Sequence, residues 1–147
     1  MKKSLKLTFW ALVVVFLLII SEFFIPAIRE LFRGSFLFLL PLAVFSLLGI
    51  LLLFLTLKQK VEGALKWFLI LTGASAGGFF VFVFLHNAFY ALNTIISHII
   101  ILNYLTEILH VIFFIIAVLI CPLGFLIGLL GNIVLFIKRK RVNSRKA

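Results

Sequence analysis

The sequence predicts an all-α integral membrane bundle of four transmembrane helices with both termini in the cytoplasm. Three observations lead there. Hydrophobic residues make up 65% of the 147-residue chain and charged residues 12%, with a mean hydropathy of +1.37. That balance leaves too few polar side chains to coat a water-soluble domain of this length. The apolar residues form four continuous runs, without the alternation that a membrane β-barrel needs. The positive charge gathers on one side of those runs. In lipid each span must satisfy its own backbone polar groups, so the runs are read as helices.

The first span covers about residues 7–28 and includes the run LVVVFLLII from Leu12 to Ile20. Lys2, Lys3 and Lys6 precede it, as in a signal peptide. The run is longer than a signal core, however, and Ser21-Glu22-Phe23-Phe24 offers no small-x-small cleavage site, so a retained helix is expected. Pro26 helps to end it. The second span covers 36–57, with Pro41 in its early turns, where proline is tolerated. The third covers 65–92. The fourth covers 107–137 and carries Pro122 in mid-span, which removes a backbone donor and predicts a fixed kink. Each span reaches the ~20 residues that about 30 Å of hydrocarbon requires. The fourth would be about 46 Å long at 1.5 Å per residue, so it must tilt, kink or protrude. Residues 93–106 read NTIISHIIILNYLT, too apolar for a free aqueous loop. They are expected to lie along the membrane surface or to continue the third and fourth helices outward. No internal repeat or low-complexity linker divides the chain, so 1–147 is read as one membrane domain with a basic tail at 138–147.

Orientation follows from the loops. Lys2, Lys3, Lys6, Lys58, Lys60, Lys66, Lys138, Arg139, Lys140, Arg141, Arg145 and Lys146 fall on one side, and Arg29 and Arg33 on the other. Positive-inside bias places both termini in the cytoplasm, in a multi-pass protein of the plasma membrane if the source is prokaryotic. Trp10 and Trp67 then sit at the inner interface, and Tyr90 and Tyr104 toward the outer one. The net charge of +10 does not imply nucleic acid, because the basic residues flank spans and no nucleic-acid module is present. The tail can instead meet anionic lipid headgroups, at about 1 kcal/mol per basic residue near the surface.

Small residues mark packing faces. Gly73 and Gly77 are four apart in the third span, as are Ala74 and Gly78. In the fourth, Ala117, Cys121, Gly124, Gly128 and Gly131 follow steps of 4, 3, 4 and 3. Such stripes let another backbone approach closely. The partner is left open between the third span, a second copy in a homo-oligomer and a different membrane protein.

Chemistry-bearing residues are few. Cys121 is the single cysteine, so no intrachain disulfide is possible. Glu62 lies in the inner loop, and Glu30 stands beside Arg29 and Arg33 outside. The others, Glu22, His86, His98, Glu107 and His110, all fall in the outer half. His86, Tyr90 and Asn93 share a helix face, as do Asn103, Glu107 and His110. Glu107-x-x-His110 resembles one carboxylate–histidine pair of a bundle metal site, with His86 and Glu22 as further candidate ligands. No HExxH sequence and no second Glu-x-x-His accompany it, so an interfacial polar cluster is the plainer reading and no cofactor is expected. Glu22 lies within the hydrocarbon zone, where a carboxylate is costly unless protonated or paired. A polar partner is expected for it, His86 or Asn87 first and Arg29 otherwise. No nucleophile–base pair or phosphate-cradling loop stands out. The expected role is contact with other membrane proteins or lipid. The alternatives are a subunit of an oligomeric transporter or channel, which would need a polar stripe through the full depth of a span, or a metal- or haem-binding protein using the outer His and Glu residues.

Overall fold

A computed structural model describes residues 3–32, 36–96 and 98–144; they are helical almost throughout, with no strand among them. In order come α1 (Lys3–Phe24), α2 (Pro26–Phe32), a 3-10 turn at Phe36–Phe38, α3 (Leu39–Lys58), α4 (Ala64–Ile95), α5 (Ile100–Ile115), a π-helical turn at Ile116–Ile120, and α6 (Cys121–Ser144). Four helices are long and apolar enough to cross a membrane: α1, α3, α4 and the continuous stretch Ile100–Lys138. Lys2, Arg33, Arg145 and Lys146 of the charge pattern lie outside the described residues.

Three boundaries differ from the sequence reading, each for a backbone reason. α1 stops at Phe24, before the expected end at 28. Pro26 has no N–H to extend the helix and instead opens α2, since proline suits a first helical position. α4 runs to Ile95 and α5 begins at Ile100, so residues 93–106 continue the two helices around a tight turn. Pro122 has no N–H for the carbonyl of Val118. The helix widens just before it, and the Cys121 N–H reaches back five residues to the Ile116 carbonyl. Between α3 and α4 the chain reverses through two positive-φ residues, Lys60 at 49° and Gly63 at 71°.

α4 is the centre of the bundle. It packs against α3 on one side, against α6 on another, and against α5 toward its C-terminal end, while α1 lies on α3. The α3–α4 seam is nearly backbone to backbone: a Cβ on Gly49 would overlap the Gly77 amide nitrogen and the Ala76 methyl. Ser46 Oγ crosses it, donating to the Gly77 carbonyl at 2.8 Å. Gly73 belongs to the same seam, facing the Gly49 carbonyl and Leu53. Along α4–α6, Gly124 lies against Ser75, Gly128 against Thr72 and Gly131 against the Phe68 ring, and Ala117 and Cys121 of the same stripe are buried. Asn132, fully buried, donates from Nδ2 to Thr72 Oγ1 at 3.0 Å. Thr72 in turn donates to the Phe68 carbonyl at 2.8 Å. Lipid tails are as apolar as leucine, so close packing and such bonds hold helices together, each bond at about 0.6 kcal/mol on average.

α1 reaches α6 by a different device. Phe9 meets Phe136 edge-on at 5.2 Å, and Phe16 meets Phe125 at 4.6 Å. Near the start of α1, Gln59 Nε2 donates to Ser4 Oγ at 3.1 Å. The outward side chains, such as Leu7, Val14, Leu47, Ile127 and Leu130, are apolar and exposed.

Candidate functional site

Besides the Asn132–Thr72 and Ser46–Gly77 contacts, two regions gather polar side chains among the described residues. The first joins the C-terminal half of α4 to α5. Steps of 4 and 3 put His86, Tyr90 and Asn93 on one face of α4, and that face meets α5. The His86 Nδ1–H donates to the His110 carbonyl at 2.9 Å. His110 Nδ1 lies 3.3 Å from the Thr106 carbonyl, its ring packing edge-on to Tyr90 at 5.8 Å. Thr106 Oγ1 donates to Asn93 Oδ1 at 2.8 Å. The two imidazole rings stand 5.5 Å apart.

This arrangement does not assemble the four candidate ligands. Thr106 and His110, four apart, take the side of α5 that faces α4. Glu107 is the next residue round the helix and is exposed, as is His98 in the turn. Glu22 belongs to α1, which packs on α3. Among the described residues no three His, Cys, Asp or Glu side chains come together where they could hold a metal ion.

The second region is at the C-terminal end of α1. Leu5, Thr8, Leu12, Ile19 and Glu22 share one face of that helix, and Leu5, Thr8 and Leu12 are buried. Glu22 is 1% exposed. The polar partner expected for it is not there: neither carboxyl oxygen has a hydrogen-bond partner among the described residues. His86 is engaged with His110, and Asn87 Nδ2 donates to the Val83 carbonyl of its own helix at 2.8 Å. Arg29 is exposed. The apolar face of α1 carries Glu22 inward by register, with no polar partner for it among the described residues.

Among α1, α3, α4 and α6 the bundle leaves a cavity of about 180 Å³, which Glu22 does not line. Phe16, Ile19 and Phe23 of α1 wall it, with Leu42 and Phe45 of α3, Ser75 and Phe79 of α4, and Cys121, Pro122 and Phe125 of α6. Its cause is the ring cluster. Phe125 sits 4.6 Å from Phe16 and 5.0 Å from Phe45, ring to ring, and these rigid side chains prop α1 away from α6. Ile19 and Phe23 bracket Glu22 in the chain, so the unpartnered carboxyl belongs to the helix that forms one wall.

Sequence reasoning missed Gly49, Asn132 and the phenylalanine cluster. Signals existed. Ser46 and Gly49 are three apart, Asn132 is the one amide inside the fourth apolar run, and 19 phenylalanines are many for 147 residues. Comparison of the chain with protein-family models, with curated proteins and with solved structures gave no match.

Proposed function

We propose that the chain is a multi-pass membrane protein, both termini cytoplasmic, that acts by contact, docking through its outer α4–α5 hairpin onto another integral membrane protein. The observation that carries this is a mismatch of helix lengths. α1 and α3 have 22 and 20 residues, about 33 and 30 Å, and fit the hydrocarbon. α4 has 32 residues, about 48 Å. To lie wholly within ~30 Å it would need a tilt of about 50°, beyond the 0–40° that spans adopt.

The outer end of α4 and the start of α5 therefore rise past their neighbours. Two polar pairs there are turned inward, Thr106 onto Asn93 and His86 onto His110. Ile95, Ile100, Ile101, Tyr104 and Leu105 are all more than half exposed, Ile101 at 81%, with His98 and Glu107 exposed among them. Large exposed apolar side chains rimmed by polar ones beyond the hydrocarbon mark an interaction site. The small-residue stripes are taken up by the chain's own helices, which leaves this surface as the contact. The basic tail supplies orientation and an attraction for anionic headgroups.

Two measurements test the reading. A photo-crosslinking residue at Ile101, in native membranes, is expected to give a discrete protein adduct. The same residue at Ile127, on the outward face of α6, is expected to give lipid adducts. Lipid adducts alone at Ile101 would sink the docking role. A cysteine at Ser144 should react with impermeant maleimide only after the inner face is opened, the native Cys121 being buried; reaction in intact cells would reverse the orientation.

A further inference from the structure

The geometry points to the phenylalanine-walled cavity as a binding site for an uncharged hydrocarbon tail, the end of a lipid acyl chain. Its size sets the length of the guest. At about 180 Å³ it slightly exceeds the roughly 150 Å³ apolar cavity that stays dry and admits benzene, so it holds about six or seven carbons. Its walls set the chemistry. They present no polar surface, and a water molecule needs two or more polar partners. A charged or polar head would find no counter-group there, because Glu22 does not line the cavity.

Its position sets where the guest comes from. Phe23 lines the cavity and is 55% exposed, so at that ring the space reaches the lipid-facing surface. The neighbouring seams are shut. α3 and α4 meet backbone to backbone at Gly49 and Gly77, and α6 lies on α4 through Gly124 and Gly128. The rings of Phe16, Phe45 and Phe125 pack on one another and so keep the space from collapsing. An unfilled void forfeits dispersion contacts along its whole lining. A chain moving in from the bilayer exchanges one apolar medium for another, so the hydrophobic effect contributes little. Contact with the ring walls supplies the gain, and the abundance of acyl chains around the bundle fills the site by mass action. A compact free lipophile would fit the volume, but it competes with those chains in large excess.

The probe is a phosphatidylcholine with a diazirine at the end of one acyl chain, in phosphatidylcholine vesicles that hold the purified full chain. After photolysis the adducts are mapped by mass spectrometry. Phe125 is 1% exposed and Cys121 5%, and both line the cavity, so a chain confined to the outside of the bundle would miss them. Leu123, between them in α6 and 59% exposed, reports ordinary contact with lipid. Adducts are expected at Cys121 or Phe125 as well as at Leu123. Leu42→Trp fills the cavity from the α3 wall and should abolish the first and leave the second. Ile19→Phe fills it from the α1 wall and should act alike, so a Leu42→Trp that melts early does not leave the question open. Adducts at Leu123 alone, or adducts at Cys121 and Phe125 that survive the fillings, would overturn the assignment. Labelling of Cys121 by a free trifluoromethyl-phenyl-diazirine but not by the lipid would overturn it too, and would give the cavity to compact lipophiles. Crosslinking at Ile101 is independent of all these readouts, so the contact role stands or falls separately.

Discussion

Gly49→Ala is expected to be among the most damaging single substitutions in the chain, although it adds one methyl group. Its Cβ would overlap the backbone nitrogen of Gly77 and come within 2.7 Å of the Ala76 methyl and 2.9 Å of the Ala76 carbonyl carbon. None of these is the free end of a flexible side chain, so α3 must move off α4 as a whole. That would lengthen the Ser46–Gly77 hydrogen bond, which crosses the same seam. Overpacking costs about 1–3 kcal/mol where side chains can adjust, and the upper end or more is expected here. The comparison variant is Gly78→Ala, whose Cβ would meet the Phe82 ring edge at 3.1 Å. A ring can turn aside, so little change is expected. Thermal unfolding in detergent measures both. Equal melting temperatures for the two variants would show that the α3–α4 approach is looser than the seam described.

Phe125→Ala is expected to destabilise the bundle by a different route. Phe125 is 1% exposed and lies tilted against Phe16 and edge-on to Phe45. In a water-soluble core, Phe→Ala costs about 3–5 kcal/mol, part transfer from water and part cavity. The transfer part is largely missing when the unfolded helices remain in lipid. The cavity part remains, so about 2–3 kcal/mol is expected. The void would open onto the existing cavity. Unchanged stability would mean that lipid or a shifted ring had filled the space.

How much of this was legible depended on which force set each feature. The four spans and the helical class follow from apolar length alone, since lipid leaves the backbone no other choice. Pro122 announced a kink, but not that a π turn would take up its missing donor. The small-residue steps from Ala117 to Gly131 were visible, whereas their neighbour α4 was not, because a stripe carries no address. Glu22 shows the limit most plainly. Its depth could be read from position, and the principle that buried polar groups are paired pointed to His86 or Asn87. Both are satisfied elsewhere, one by a carbonyl across the α4–α5 contact and the other by its own helix. Competition for partners is decided in three dimensions. The cavity was likewise invisible, because it arises where rings contributed by three helices fail to close the space between them.

The order in which the seams join has a consequence for assembly. α3 and α4, and α4 and the stretch of α5 and α6, are consecutive spans, so each can dock on one already inserted. Closure is most local at α4–α5 and longer at α4–α6, where Thr72 and Asn132 are 60 residues apart, and local contacts form faster. The approach of α1 to α6 is the exception. It spans most of the chain, keeps the backbones apart, and rests on ring pairs such as Phe16 with Phe125. It must therefore close last, once α6 has arrived, and with the least holding it shut. The bundle is a chain of firm neighbours with one late, soft joint.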